Sequence, residues 1–238
     1  MTILPAAHSL SHRIFDQEQR VSTDDQSSSK GLSLSWAILG IVYAAFFYWY
    51  TSFGGPLSDE EIAHYTQVLA SIPEMSEHSE RWISFMKSDT GNDWAMWNAV
   101  DLFDTPKQVK GVKPGDTSQD VVNRYSEPFF AKALSRAAHP VLGGVAANTA
   151  LDTWGIEGGE DWEMGLLVRY RSRRDIMEMI EETATSDSEI HSFKVAAVEK
   201  TIAFPLDPWL HAGDPRFLLA MIFIPLGLTT QRRHNARA

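Results

Sequence analysis

Between Leu34 and Phe53 the chain carries no charged residue: LSWAILGIVYAAFFYWYTSF. A stretch of about 20 apolar residues matches the hydrocarbon thickness of a bilayer. Trp36 sits near one end and Tyr48, Trp49 and Tyr50 near the other, as aromatic belts at two membrane interfaces would require. The run predicts a transmembrane helix over 32–53. A buried core helix would show a polar face, and a cleaved signal peptide would have a shorter apolar core. Gly40 and Ala44 form a small-xxx-small pair able to seat another helix. Trp36, Gly40, Ala44 and Trp49 are the expected anchor residues.

A second apolar run, Phe217–Leu228, precedes Arg232, Arg233 and Arg237, and predicts a C-terminal membrane segment within 209–238. It is short for a full span. Arg13, Arg20 and Lys30 precede the first run, and no Lys or Arg follows it until Arg81. By the positive-inside rule the N-terminus is expected in the cytoplasm of a bacterial inner membrane, with the main domain periplasmic.

The rest is organised around these runs. Residues 1–31 end in a polar, Ser-rich stretch and read as a flexible tail. Residues 54–93 read as a helical insert. Ser58 and Glu61 form a capping-box signature, followed by Ile62, Tyr65, Val68 and Leu69 at helical spacing. A second helix carries Trp82, Ile83, Phe85 and Met86. Residues 94–208 alternate in the order β-α-β-β-α-β. Strands are expected at Trp94–Phe103, Pro140–Asp152, Glu163–Arg171 and Thr201–Leu206, and helices begin at Thr117 and Ser172.

Charge and composition exclude several functions. The net charge of −10 makes the chain a poor candidate for binding nucleic acid, which needs clustered Lys and Arg. With no cysteine there are no disulfides, thiolate nucleophiles or Cys-based zinc sites. No phosphate loop, dinucleotide fingerprint or nucleophile elbow is present. No pair of histidines or dense carboxylates has metal-ligand spacing, so neither metal nor cofactor is expected.

Trp94-Ala-Met-Trp-Asn-Ala-Val100, Arg124-Tyr125, Trp162-Glu-Met-Gly-Leu-Leu-Val-Arg-Tyr-Arg-Ser-Arg-Arg-Asp175 and His191-Ser-Phe-Lys-Val-Ala-Ala-Val-Glu-Lys-Thr-Ile202 carry a resemblance. Over 94–205 the chain resembles an uncharacterised ferredoxin-like family of the dimeric α/β-barrel superfamily. The resemblance implies an α+β, ferredoxin-like fold: an antiparallel sheet with helices on one face and a homodimer formed through the sheet. Relatives in that superfamily include small monooxygenases, muconolactone isomerases and haem-handling proteins, and many without known activity. The anchor, the insert Ser58–Lys87 and the loop Asp104–Gly115 depart from the pattern.

The ligand-binding candidates are Asn98, His139, Tyr170 and His191. Asn98, inside an apolar strand, either contacts a ligand or ties down a loop, and the second reading is favoured. Asp101 is similar. His139 and His191 are lone histidines suited to proton transfer or haem ligation. The run Arg169-Tyr-Arg-Ser-Arg-Arg174 reads first as a strand end and helix start with its arginines solvated or paired, and second as an anion site. Trp154 and Trp162 bracket a Gly-rich turn and are expected to pack on the core or a partner. Two functions follow as expectations. One is a membrane-tethered domain that binds, or binds and transforms, a small apolar molecule. The other is a non-catalytic accessory subunit of a larger membrane complex.

Overall fold

The computed structural model describes residues 33–237 apart from residue 187. Its helices and strands follow in the order α1 (Leu34–Tyr50), α2 (Asp59–Ser71), α3 (Pro73–Ser76), α4 (Ser79–Lys87), β1 (Trp94–Leu102) and α5 (Ser118–Ser135). Then come β2 (His139–Val145), β3 (Met164–Tyr170), α6 (Arg173–Ser186), α7 (Ser188–Ala197), β4 (Val198–Leu206) and α8 (Pro215–Asn235). The tail expected over 1–31 lies outside the described residues.

The membrane reading is corrected. Among the described residues no helix is long and apolar enough to cross a membrane. Helix α1 has 17 residues, about 25 Å at the α-helical rise, against a hydrocarbon core of about 30 Å. It stops at Tyr50 because its aromatic end is engaged by protein. Tyr50 is 1% exposed, and Trp49 Nε1 donates to the Ser135 carbonyl at 3.1 Å. Helix α8 has 21 residues but contains Arg216, Arg232, Arg233 and His234. Without spans, the inner-membrane location, the cytoplasmic N-terminus and the periplasmic domain lose their basis, and the lipid bilayer loses its argument as a partner. The anchor residues have other surroundings. Gly40 and Ala44 are exposed, and a Cβ on Gly40 would meet nothing within 4 Å.

The chain divides into two units, residues 33–41 with 222–237, and residues 42–221. In the first, the Ser33 amide donates to Gln231 Oε1 at 2.9 Å. Trp36 lies so close to buried Gly227 that a Cβ there would stand 2.5 Å from the indole.

The second unit is α+β, with one four-stranded antiparallel sheet in the order β2-β3-β1-β4. Alternation along a strand sends successive side chains to opposite faces. Trp94, Met96, Val168, Tyr170 and Leu166 join the core with Phe129, Ile176, Met177 and Met179 from α5 and α6. The insert shares this core through Leu57, Tyr65, Leu69 and Met86. Helices α2 and α5 begin with capping boxes, Ser58 with Glu61 and Thr117 with Asp120.

The opposite face reads as rows. Leu142, Leu167, Trp97 and Phe204 run across all four strands, next to Gly144, Gly165, Ala99 and Ile202. A third row is His139, Arg169, Ala95 and Leu206.

The arginine run is paired throughout. Arg169 bonds Asp93, Arg171 bonds Asp175, and Arg174 bonds Glu61. Arg173 lies 3.6 Å from both Asp89 and Asp207 and donates to the Phe85 carbonyl. Arg169 is 1% exposed. It also donates to the carbonyls of Ala137 (2.9 Å) and Tyr50 (2.8 Å), and lies 3.7 Å above the Tyr50 ring. Arg216 reaches the same Asp93 oxygen at 3.1 Å and Asp214 at 2.6 Å.

Removing one partner of a buried ion pair costs about 3–5 kcal/mol. Because Asp93 keeps Arg216, Arg169→Met should lower the unfolding free energy by about 3 kcal/mol, at the low end of that range, measured by urea titration. The hydrogen bonds from Arg174 hold Glu61 down at about 2. Such a carboxylate stabilises the fold above its unfolded value and loses that contribution as pH falls through the folded one. The melting-temperature advantage of wild type over Glu61→Gln should therefore be full near neutrality, shrink below about pH 4.5 and vanish near pH 2.

Candidate functional site

Where β1 and β2 end and β3 begins, the sheet edge and the first turn of α5 border an open cleft of about 470 Å³. Its apolar lining is Val145, Ala146, Ala147, Trp162 and Met164, and its polar lining is Asp101, Gln119, Asn148, Thr149, Asp161 and Glu163. Volumes of about 300–1,000 Å³ are usual for small-molecule sites.

Local backbone bonding holds this end in place. The Ser118 hydroxyl donates to the Phe103 carbonyl and seats α5 against the end of β1. The 146–163 connection folds back as an extension of the hairpin. The amides of Ala146 and Ala150 donate to the carbonyls of Glu163 and Glu160, both at 2.7 Å. Gly155 and Gly158 take φ of 67° and 68°, a region glycine enters without steric cost. The Trp162 indole N–H donates to the Gly159 carbonyl at 2.9 Å, which fixes the ring as a wall.

The cleft is acidic. Lys200 lies 3.5 Å from Asp101, 5.2 Å from the Trp162 ring centroid, and donates to the Gly158 carbonyl at 2.8 Å. Asp161 and Glu163 remain on the lining, both exposed. Among the described residues no three His, Cys, Asp or Glu are arranged to hold a metal ion. An aromatic wall beside carboxylates suits a ligand with an apolar body and a protonated amine.

None of the four ligand-binding candidates lines this cleft. Asn98 projects to the helix-covered face, where its amide donates to the carbonyls of Met96 (3.1 Å) and Leu166 (3.3 Å). Tyr170 is buried and stacked on Trp94 at 4.7 Å, and burial pushes its hydroxyl far above the ordinary range. His191 meets the Tyr125 ring edge-on at 6.4 Å. His139 stands on the opposite face, its Nε2 2.7 Å from the Tyr50 hydroxyl and its Nδ1 3.0 Å from the Pro140 carbonyl.

Sequence reasoning missed the cleft. Asp101 and Trp162 were noticed singly. The signal that joins them is an aromatic residue between two acids, Asp161-Trp162-Glu163, after a glycine turn and directly before a strand.

No family model matches the chain, and no curated protein matches it. Among solved structures, a methylated form of the RPA0582 protein is 22% identical, with a TM-score of 0.46 over 57% of this chain and 93% of that one. The RPA0582 protein of Rhodopseudomonas palustris, itself of unknown function, is 21% identical, with a TM-score of 0.45 over 56% of this chain and 94% of that one. Both likenesses are slight, and nothing about the fold or function of this chain follows from them.

Proposed function

We propose that the protein is a binding domain for a small, mainly apolar molecule that carries an amine. The observation that carries this reading is the 470 Å³ cleft walled by Trp162 and Met164 and rimmed by Asp161 and Glu163. A cation over a tryptophan face gains about 0.5–2 kcal/mol, and a neighbouring carboxylate adds to it.

The open face of the sheet supports a second copy of the chain as partner, in keeping with the resemblance to dimeric α/β-barrel proteins. Ile202, Phe204 and Leu206 on β4 are 39–44% exposed, and Leu142 on β2 is 62% exposed. Leu142, Phe204 and Ile202 belong to rows whose middle strands contribute Trp97, Leu167 and Ala99. A contiguous apolar patch of this kind marks an interaction surface, and a two-fold partner would lay the same rows against each other.

Calorimetry with phenethylamine and with the neutral 2-phenylethanol tests the cleft. Wild type should bind the amine more tightly, and Trp162→Ala should weaken amine binding about tenfold, the equivalent of 1.4 kcal/mol. Equal affinities for amine and alcohol, or an unchanged Trp162→Ala, would refute the assignment. Light scattering at micromolar concentration tests the partner. Wild type should have twice the chain mass and Phe204→Lys the single mass, whereas a monomeric wild type excludes the face as a self-interface.

A further inference from the structure

A second cavity, of about 300 Å³, lies where α4, the start of α6 and the end of β4 meet. Helix α4 and its C-cap bring Arg81, Ser84 and Ser88 to it, at the three- and four-residue spacings that share a helix face. Arg173, the first residue of α6, forms its floor. That side chain is buried, at 4% exposure, and its guanidinium lies 4.4 Å from the centroid of the Phe85 ring. Its Nη1 donates to the Phe85 carbonyl and to Ser88 Oγ, the latter at 2.7 Å. Its other two nitrogens each face a carboxylate at 3.6 Å, Nε towards Asp89 and Nη2 towards Asp207. Both distances are ion-pair contacts too long for hydrogen bonds. The two acids differ in kind. Asp89 is buried, and its oxygens accept from the amides of Leu57 (2.9 Å) and Gly91 (3.0 Å). Asp207 lines the cavity with its side chain 70% exposed.

A buried guanidinium at the first position of a helix also meets the positive end of the helix dipole, so it calls for negative charge beside it. Asp89 supplies one carboxylate that the backbone holds in place. The other comes from a side chain that solvent reaches, in the kind of exposed pair that contributes little to stability. We propose that this cavity is a receptor for a small carboxylic acid anion with an apolar body, and that Asp207 is the chain's own stand-in for that ligand. The ligand carboxylate takes the place of Asp207 on Nη2 of Arg173. Arg81 meets it from α4, and the body lies against Phe85 and Pro205. Arginine forks match the planar geometry of a carboxylate, and charge-assisted bonds of this kind are the strong ones. The fixed charge of Asp89 selects a monoanion over a phosphate dianion, because like charges repel more as the ligand's charge rises. The site is separate from the Trp162 cleft, and neither proposal depends on the other.

Calorimetric titration of the full chain at constant ionic strength tests the assignment, with benzoate, inorganic phosphate and the neutral benzyl alcohol as probes. Benzoate should bind more tightly than either of the others. The variants fall on the two exposed side chains, Arg81 and Asp207, rather than on buried Arg173. Arg81→Gln should weaken benzoate about tenfold, the scale of a hydrogen bond to a charged group. Asp207→Asn should tighten it about threefold, the scale of an exposed ion pair, because the competing carboxylate is gone. Trp162→Ala should leave benzoate affinity unchanged, which separates this cavity from the cleft. Phosphate or the alcohol binding as tightly as benzoate, an unaffected Arg81→Gln, an Asp207→Asn that fails to tighten binding, or a benzoate site lost with Trp162 would each overturn the proposal.

Discussion

The guanidinium of Arg169 ties together three segments that lie far apart in the sequence. It is buried on the sheet, bonded to Asp93 just before β1, to the carbonyl of Ala137 before β2 and to the carbonyl of Tyr50 at the end of α1. A buried charge is tolerated only when its partners are in place, so these segments must be positioned together or the cation is left uncompensated. Arg216 shares Asp93 and brings the start of α8 to the same point. Tyr50 completes the arrangement as the aromatic floor beneath Arg169, with its hydroxyl against His139. Burial pushes that hydroxyl up to about 12, so it stays protonated as a donor.

This fixed corner gives the two faces of the sheet different histories. The helix-covered face is filled by Trp94, Met96, Val168 and Tyr170. Space opens instead at the far end, where the 146–163 connection departs from the strands. The other face carries the buried Arg169 with His139 at one end and Lys200 with Asp101 at the other, and its rows are apolar between them.

Local features were legible in the sequence, and long-range ones were not. The helix starts at Ser58 and Thr117 declare themselves within four residues, because a capping box is a contact between residues three apart. Strand alternation around Trp94 and Val168 is local in the same sense. The uncharged run at Leu34–Phe53 was legible as apolar, but what it packs against was not. Its end is set by a bond from Tyr50 to a histidine 89 residues away. The arginines of 169–174 were expected to be paired or solvated, yet their acids at positions 93 and 61 lie 76 and 113 residues distant. Asn98 was weighed as a ligand contact or a tie. Its amide donates to two strand carbonyls, one of them 68 residues off.

The bond from Arg169 to Tyr50 spans 119 residues of chain. Closing so long a loop is slow to be rewarded, though its entropy cost rises only logarithmically with length. Opening is correspondingly collective. The last turn of α1, whose Thr51 amide donates to the Phe47 carbonyl, cannot fray by itself without stripping a buried cation of a carbonyl. Backbone amides around residues 48–51 are therefore bound to the opening of the central strands. They should exchange with solvent as part of the sheet's cooperative unit rather than as a helix end.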